Sequence, residues 1–239
     1  MADPRDAWNV GVIERLELRG DERVLDAGCG SGRGTEMLVE ALPRGRAIGV
    51  DGSPSMVAAA RELLGDTADI VESDLQELAI DQPVDAIVST ATLHWVPDHA
   101  RTFQRFADAL VPGGKLETDC GGFGNVAKAV DACDRVATRP EFADTFAEWE
   151  RPWHFETPDD TVPRLEAAGF DVRDCWLTPR PTAISEPREY MRVVIAAPYL
   201  DVLPVELHDE FVDLAVDFLD GATEIDYVRL NIGAVKRGA

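Results

Sequence analysis

Lysine is nearly missing from this chain. Only Lys115, Lys128 and Lys236 occur among 239 residues, beside 20 arginines and 45 acidic residues, for a formal net charge of −22. A protein that grips a phosphate backbone needs a basic footprint, so this balance argues against DNA or RNA as partner. Self-repulsion of this size destabilises a compact state unless salt screens it. An aspartate-rich, lysine-poor surface is therefore the composition expected of a halophilic protein; the alternative is an acidic mesophilic protein of high solubility. Long apolar runs are also missing, since no stretch approaches the roughly 20 residues of a membrane span. The first residues, Met-Ala-Asp-Pro-Arg-Asp, lack a cationic-then-apolar targeting pattern, so the expected location is cytoplasmic. Cysteine is sparse, and Cys29, Cys120, Cys133 and Cys175 show no C-x-x-C spacing. That excludes a thiolate zinc site; reduced, packing thiols are expected, and no metal constellation stands elsewhere. Repeats and low-complexity tracts are absent, and the length suits one well-filled α/β domain with insertions.

What is present concentrates in residues 24–34, Val-Leu-Asp-Ala-Gly-Cys-Gly-Ser-Gly-Arg-Gly. An apolar strand runs into a glycine-rich turn and then a helix. Glycine tolerates positive φ and has no side chain to clash. Gly28, Gly30 and Gly32 thus let bare backbone approach a polar ligand at a helix N-terminus. A second strand ends at Asp51, 21 residues past Gly30. A carboxylate there can accept hydrogen bonds from both hydroxyls of a ribose. Together these features point to an adenosine-containing cofactor. The dinucleotide pattern G-x-G-x-x-G needs a third glycine where Arg33 or Thr35 stands, so a nicotinamide dinucleotide fits poorly. Asp26, two residues before the first glycine, suits a cation; the alternative is that it merely caps the turn.

Further signals follow in order. Ser53 and Pro54 start a helix as N-cap and first residue, with Met56 in its first turn, facing either the ligand edge or the core. A short strand, Asp69–Glu72, leads to Ser73-Asp74-Leu75. Another, Val84–Ser89, leads into Thr90-Ala91-Thr92-Leu93-His94-Trp95-Val96-Pro97-Asp98-His99. A helix with Phe103, Phe106 and Leu110 on one face then reaches the reversal Pro112-Gly113-Gly114 before a fifth strand at Lys115–Cys120. Such βα alternation predicts a parallel sheet with helices on both faces and ligands at the C-terminal strand ends.

This succession resembles the class I S-adenosylmethionine-dependent methyltransferases over nearly the whole chain. Leu93–His99 and Pro152-Trp153-His154-Phe155 are similar to the trans-aconitate methyltransferase branch. The resemblance implies a Rossmann-like, seven-stranded, mostly parallel sheet whose last strand is antiparallel, S-adenosylmethionine as cofactor, and a small-molecule methyl acceptor. It implies cofactor contacts from Asp26, Gly28, Cys29, Gly30, Gly32, Asp51, Gly52, Met56, Ser73, Asp74, Leu75, Thr90, His94 and Trp95. Asp26 would take the methionine end, Asp51 the ribose and Asp74 the adenine amino group. Relatives carry a longer N-terminal segment with an aromatic over the cofactor, for which Trp8 is the candidate here.

The remaining chain predicts a helix at about 7–18, strands at Asp171–Leu177 and Ile225–Val235, and two stretches beyond a minimal fold. These insertions, about 122–158 and 183–220, are expected to cover the pocket. They contain predicted helices at Asn125–Ala137, Pro140–Glu148, Pro187–Ala196 and Pro204–Leu219. Trp149, Trp153 and Phe155, in a proline-broken loop, are expected to wall the pocket. His94 is the candidate catalytic residue, as a base toward a hydroxyl or, preferentially, as a positioning group, with a structural histidine as the alternative. Substrate-binding candidates are Trp153, His154, Arg151 and Arg192, with Arg188 and Arg229 as further candidates for an arginine clamp on an anionic acceptor; the alternative is that most of these arginines are surface salt-bridge partners. The expected reaction is methyl transfer to oxygen. The alternatives are C- or N-methylation, or cofactor binding without transfer. Monomer and homodimer both remain open.

Overall fold

The structure, a computed structural model, describes residues 4–221 and 224–238. Helix α1 (Pro4–Leu16) comes first, and strands and helices then alternate through β1 (Arg23–Ala27), α2 (Arg33–Ala41), β2 (Arg46–Asp51), α3 (Pro54–Leu64) and β3 (Asp69–Glu72). Strand β4 (Val84–Thr90), α4 (His99–Ala109) and β5 (Leu110–Gly121) complete this run. The rest comprises α5 (Ala127–Ala137), α6 (Ala143–Phe146), α7 (Pro158–Ala167) and β6 (Phe170–Ala183). It ends with α8 (Pro187–Tyr190), α9 (Ala197–Leu200), α10 (His208–Phe218) and β7 (Glu224–Lys236). The chain divides into two compact units. One holds the residues up to Phe123, His154–Thr178 and Arg229 onward; the other holds Gly124–Trp153 and Pro179–Val228.

The first unit carries the sheet, ordered β3-β2-β1-β4-β5-β7-β6. Strands β1 to β5 pair in parallel, and β7 joins β5 antiparallel from Lys115↔Val235 to Gly121↔Arg229. Interior parallel strands are covered on both faces, which explains the unbroken burial of Val24 through Ala27 in β1. Alternate residues serve opposite layers. Leu25, Ile87 and Leu116 pack with Phe103, Phe106, Leu165 and Phe170 on one face. Val24, Ala86 and Val88 pack with Val12, Leu16 and Leu38 on the other. Each fully buried Phe or Leu stabilises the fold by about 1.5–3 kcal/mol. The sequence order reverses beside β1, whose neighbours are β2 and β4, and ligands of open α/β sheets sit at such a switch point.

The Pro112-Gly113-Gly114 reversal departs from its expected form. Val84 pairs with Leu110 and Ala86 with Lys115, so residues 111–114 bulge out of a continuous ladder instead of preceding the strand. Gly113 carries the positive φ, 78°, that the bulge requires.

The second unit has an aromatic core. The Phe142 and Phe211 rings meet edge-on at 5.4 Å, and the Trp149 ring lies 4.6 Å from that of Tyr199. Phe146 touches Trp149, Tyr199 and Phe211. Trp149, expected in a pocket wall, is thus a packing residue of this cluster. The helix expected at Pro187–Ala196 is α8 followed by a π-helical turn, Met191–Ile195. That expected at Pro204–Leu219 begins as a 3₁₀ turn, Val205–Leu207, before α10. No helix among the described residues is long and apolar enough to cross a membrane.

Candidate functional site

The glycine turn follows β1 directly and is stitched to β2. Gly28 N–H and Cys29 N–H both donate to Val50 C=O, at 2.8 and 3.0 Å. Asp51 closes the turn from the other side: Oδ2 accepts Gly30 N–H at 2.9 Å and Oδ1 accepts Ser53 N–H at 2.8 Å. The two glycines differ in why they are needed. At Gly28, with φ 81°, a Cβ would lie 2.1 Å from the Thr92 side chain, so packing forbids any other residue. At Gly30, with φ 55°, a Cβ would meet nothing within 4 Å, so this face of the turn is open to a ligand. Cys29 contributes backbone. Burial and the nearby Asp26 and Asp51 carboxylates push its thiol up to about 12, which leaves it an unreactive packing group.

Asp26 is buried at the end of β1, and its Oδ2 accepts the Thr35 hydroxyl at 2.7 Å from the first turn of α2. Burial, helped by Asp51 and opposed by the Thr35 hydrogen bond, raises its carboxyl to about 6. The turn-capping role weighed for Asp26 is performed by Asp51. What remains at Asp26 is a desolvated carboxylate that a neighbouring cation would favour.

Strand β4 supplies the third wall. Beyond Thr90, Ala91 adopts φ 56°, and its N–H donates to Asp119 C=O at 2.7 Å. A left-handed alanine is strained, and such outliers mark functional turns. Thr92 Oγ1 donates to Gly28 C=O at 3.1 Å, tying this turn to the glycine turn. His94 is 8 % exposed. Its Nδ1 accepts Gly121 N–H at 3.2 Å, so the ring proton sits on Nε2. Burial, with the charges of Arg229 and His99, depresses it to about 3. His94 is a neutral imidazole that offers Nε2–H, a donor in place of a base. The Phe155 ring lies 5.8 Å from it, and His154 N–H donates to its C=O at 2.8 Å.

The other sequence candidates divide. Ser73 joins the site through its N–H, which donates to Asp51 C=O at 3.1 Å. Met56 and Trp95 are 43 % and 48 % exposed, so neither is a core residue. Gly52 is open, with only Ser73 C=O, at 3.8 Å, near a Cβ placed there. Leu75 is buried in the core cluster. Asp74 is exposed and caps the short turn after it by accepting Gln76 N–H at 2.8 Å. Gly32 starts α2 in the left-handed region.

All four arginine candidates have acidic partners. Arg151 pairs with Asp134, Arg188 with Asp209 and Asp213, and Arg192 with Asp209. Arg229 is 2 % exposed: its Nε donates to Asp119 Oδ1 at 2.5 Å, and its guanidinium lies 4.1 Å from the Trp8 ring centroid. Burial has made Arg229 an internal ion-pair partner. Trp153 faces Tyr199 in the second unit, 6.4 Å away, whereas His154 and Phe155 belong with His94 in the first. Sequence reasoning passed over Thr35, Thr92, Gly121 and Ala91, none of which carries a local signal. Among the described residues, no group of three or more His, Cys, Asp or Glu is placed to hold a metal ion.

Comparison with known proteins gives this geometry a family. The family described as a methyltransferase domain matches residues 24–114. A trans-aconitate 2-methyltransferase of Methylobacterium nodulans is 34% identical over 218 residues, 88% of this chain and 82% of that protein. A putative methyltransferase from Bacillus halodurans shares the fold at a TM-score of 0.66 and 15% identity, covering 97% of this chain and 100% of that one. Haemonchus contortus phosphoethanolamine N-methyltransferase 2, solved with S-adenosyl-L-methionine, does so at 0.61 and 18% identity, over 96% of this chain and 52% of its own. The chain belongs to the class I S-adenosylmethionine-dependent methyltransferases, and within them it is similar to the trans-aconitate 2-methyltransferases.

Proposed function

We propose that this methyltransferase esterifies a carboxylate of a small polycarboxylic acid. The observation that carries the reading is the 34% identity to a trans-aconitate 2-methyltransferase over 88% of the chain. The site chemistry supports it. A carboxylic acid is ionised at neutral pH and attacks without a base, and His94, with Nδ1 engaged by Gly121, supplies a donor instead.

The residues fit S-adenosylmethionine. Asp26, held near 6 by burial, regains its charge beside a cation, and so suits the ammonium of the methionine end. Asp51 has lone pairs left for ribose hydroxyls, and Gly30 leaves the space such an approach needs. Asp74 is the candidate partner of the adenine amino group, with Gly28, Cys29, Gly32, Gly52, Met56, Ser73, Leu75, Thr90, His94 and Trp95 forming the remaining surround. Bound there, S-adenosylmethionine supplies a methyl group already activated on a sulfonium. The protein's part is to orient the acceptor and exclude water, which lowers such a barrier by several kcal/mol. His94 Nε2–H orients the acceptor carboxylate, with His154 and Phe155 beside it.

The test is transfer from methyl-labelled S-adenosylmethionine to a panel of di- and tricarboxylic acids, phenols and amines. An ester releases its label as volatile methanol in mild alkali, and ethers and N-methyl products do not. Alkali-stable product from phenols or amines alone would overturn the reading.

A further inference from the structure

Helix α1 is fixed along the sheet at three points. The Trp8 ring covers the Arg229 guanidinium at 4.1 Å. Arg15 donates to Glu117 Oε2 at 2.8 Å and to Thr118 C=O at 3.0 Å. Lys115 Nζ donates to Leu16 C=O at 2.7 Å, a cation at the negative end of the helix. Trp8, Val12 and Leu16, four residues apart, form the buried stripe. Asn9, one residue on, is turned roughly 100° around the axis from that stripe and is half-buried. Its carboxamide reaches the first turn of α2. A Cβ built at Gly34 would lie 3.3 Å from Asn9 Oδ1 and 3.2 Å from Asp26 Oδ2. The absence of a side chain at Gly34 thus lets both oxygens, one from Asp26 and one from Asn9, close on the same stretch of α2 backbone.

We propose that Asn9 is a further cofactor-binding residue, which joins Asp26 in holding the amino-acid tail of S-adenosylmethionine. This rests on the reading that Asp26 receives that tail. An α-amino acid group is a zwitterion whose ammonium needs acceptors and whose carboxylate needs donors. Asp26 supplies acceptors only, and its Oδ2 already accepts from Thr35. The Asn9 carboxamide supplies one of each kind, on a helix that the Trp8–Arg229 stack holds in place. Trp8 therefore acts by positioning α1.

Two adenosine ligands separate this role from a structural one. S-adenosylhomocysteine carries the whole tail, and 5′-methylthioadenosine lacks it. Calorimetry on Asn9→Ala should show S-adenosylhomocysteine weakened about tenfold, one hydrogen bond to a charged group, with methylthioadenosine unchanged. Gly34→Ala, whose methyl group would push on both the Asp26 and Asn9 oxygens, should give the same split without removing either polar group. Equal weakening of both ligands, or none, in Asn9→Ala overturns the proposal. If Asp26→Asn alone shows the split, the Asn9 role falls and the cofactor reading stands. If Asp26→Asn and Asp51→Asn both bind S-adenosylhomocysteine as the unmodified chain does, the cofactor reading itself falls.

Discussion

Asp51 Oδ2 accepts the Gly30 backbone N–H at 2.9 Å, so the acid that ends β2 also shapes the glycine turn that ends β1. Its other oxygen holds Ser53 N–H ahead of α3. Loss of this side chain therefore has two consequences. Asp51→Ala should lower cofactor affinity and also the melting temperature, because two backbone donors lose their partner at about 1–3 kcal/mol for each one left buried. Asp51→Asn, which keeps one oxygen, should retain more of the stability and still bind the cofactor weakly. Calorimetric affinities beside thermal melts check this, and an Asp51→Ala chain that melts like the parent would contradict it.

The glycines offer a paired test. Gly30→Ala places a methyl group in open space at φ 55°, so the cost is backbone strain of about 1–2 kcal/mol. Gly28→Ala drives Cβ to 2.1 Å from Thr92. It should unfold far more readily than Gly30→Ala in urea, although the substitution is the same. Thr92→Gly should rescue Gly28→Ala in part and leave Gly30→Ala unaffected.

Asp26 and His94 oppose each other in acid. Asp26 rises from 3.8 to about 6, so between those values the folded chain keeps a proton that the unfolded chain releases. Its contribution to stability falls as pH rises through that window. His94 drops from 6.5 to about 3, so there the unfolded chain binds a proton that the folded chain refuses, and stability rises with pH. Each slope approaches about 1.4 kcal/mol per pH unit, with opposite sign. Between about pH 4 and 6 the two nearly cancel. Asp26→Asn removes the first and exposes the second, so its unfolding free energy should climb more steeply over that range than the parent's. Above pH 7 it should be the more stable protein, by on the order of 2–3 kcal/mol, while binding cofactor less well. Urea titrations at several pH values decide this; parallel curves would refute it.

A net charge of −22 predicts a salt-dependent fold. Exposed carboxylates repel one another over the Debye length, which shrinks from about 10 Å at 0.1 M to about 3 Å at 1 M. The melting temperature should therefore rise as potassium chloride goes from 0.1 M into the molar range. Sucrose at equal osmolality should not reproduce the full rise. A melting temperature indifferent to salt would show that local ion pairs such as Arg188 with Asp209 and Asp213 already neutralise the repulsion.

Some of this structure was legible from local pattern. Strand β3 runs from Asp69 to Glu72, as the apolar pattern and flanking residues indicate. Pro54 starts α3 because its fixed φ and missing N–H suit a first helical turn. The arginines were not legible. Arg229 reads like any exposed cation, yet β7 inserts beside β5 and buries it against Asp119, 110 positions earlier. Trp149 reads as a loop aromatic because Tyr199, the ring it packs against, lies in a distant segment.

The sequence by itself determined the family-bearing part: a strand, a turn of small residues, an acid near the end of each of two strands, and a strongly acidic charge balance. Those properties depend on neighbours along the chain, where φ preference, apolar period and net charge are written residue by residue. Only the tertiary structure decided what each group does. Gly121 sets the His94 tautomer, Asp51 takes over the turn from Asp26, and α1 brings Asn9 to Gly34. Each of these follows from strand order and helix docking. Such contacts arise when buried surfaces pack, and no spacing in the sequence records them.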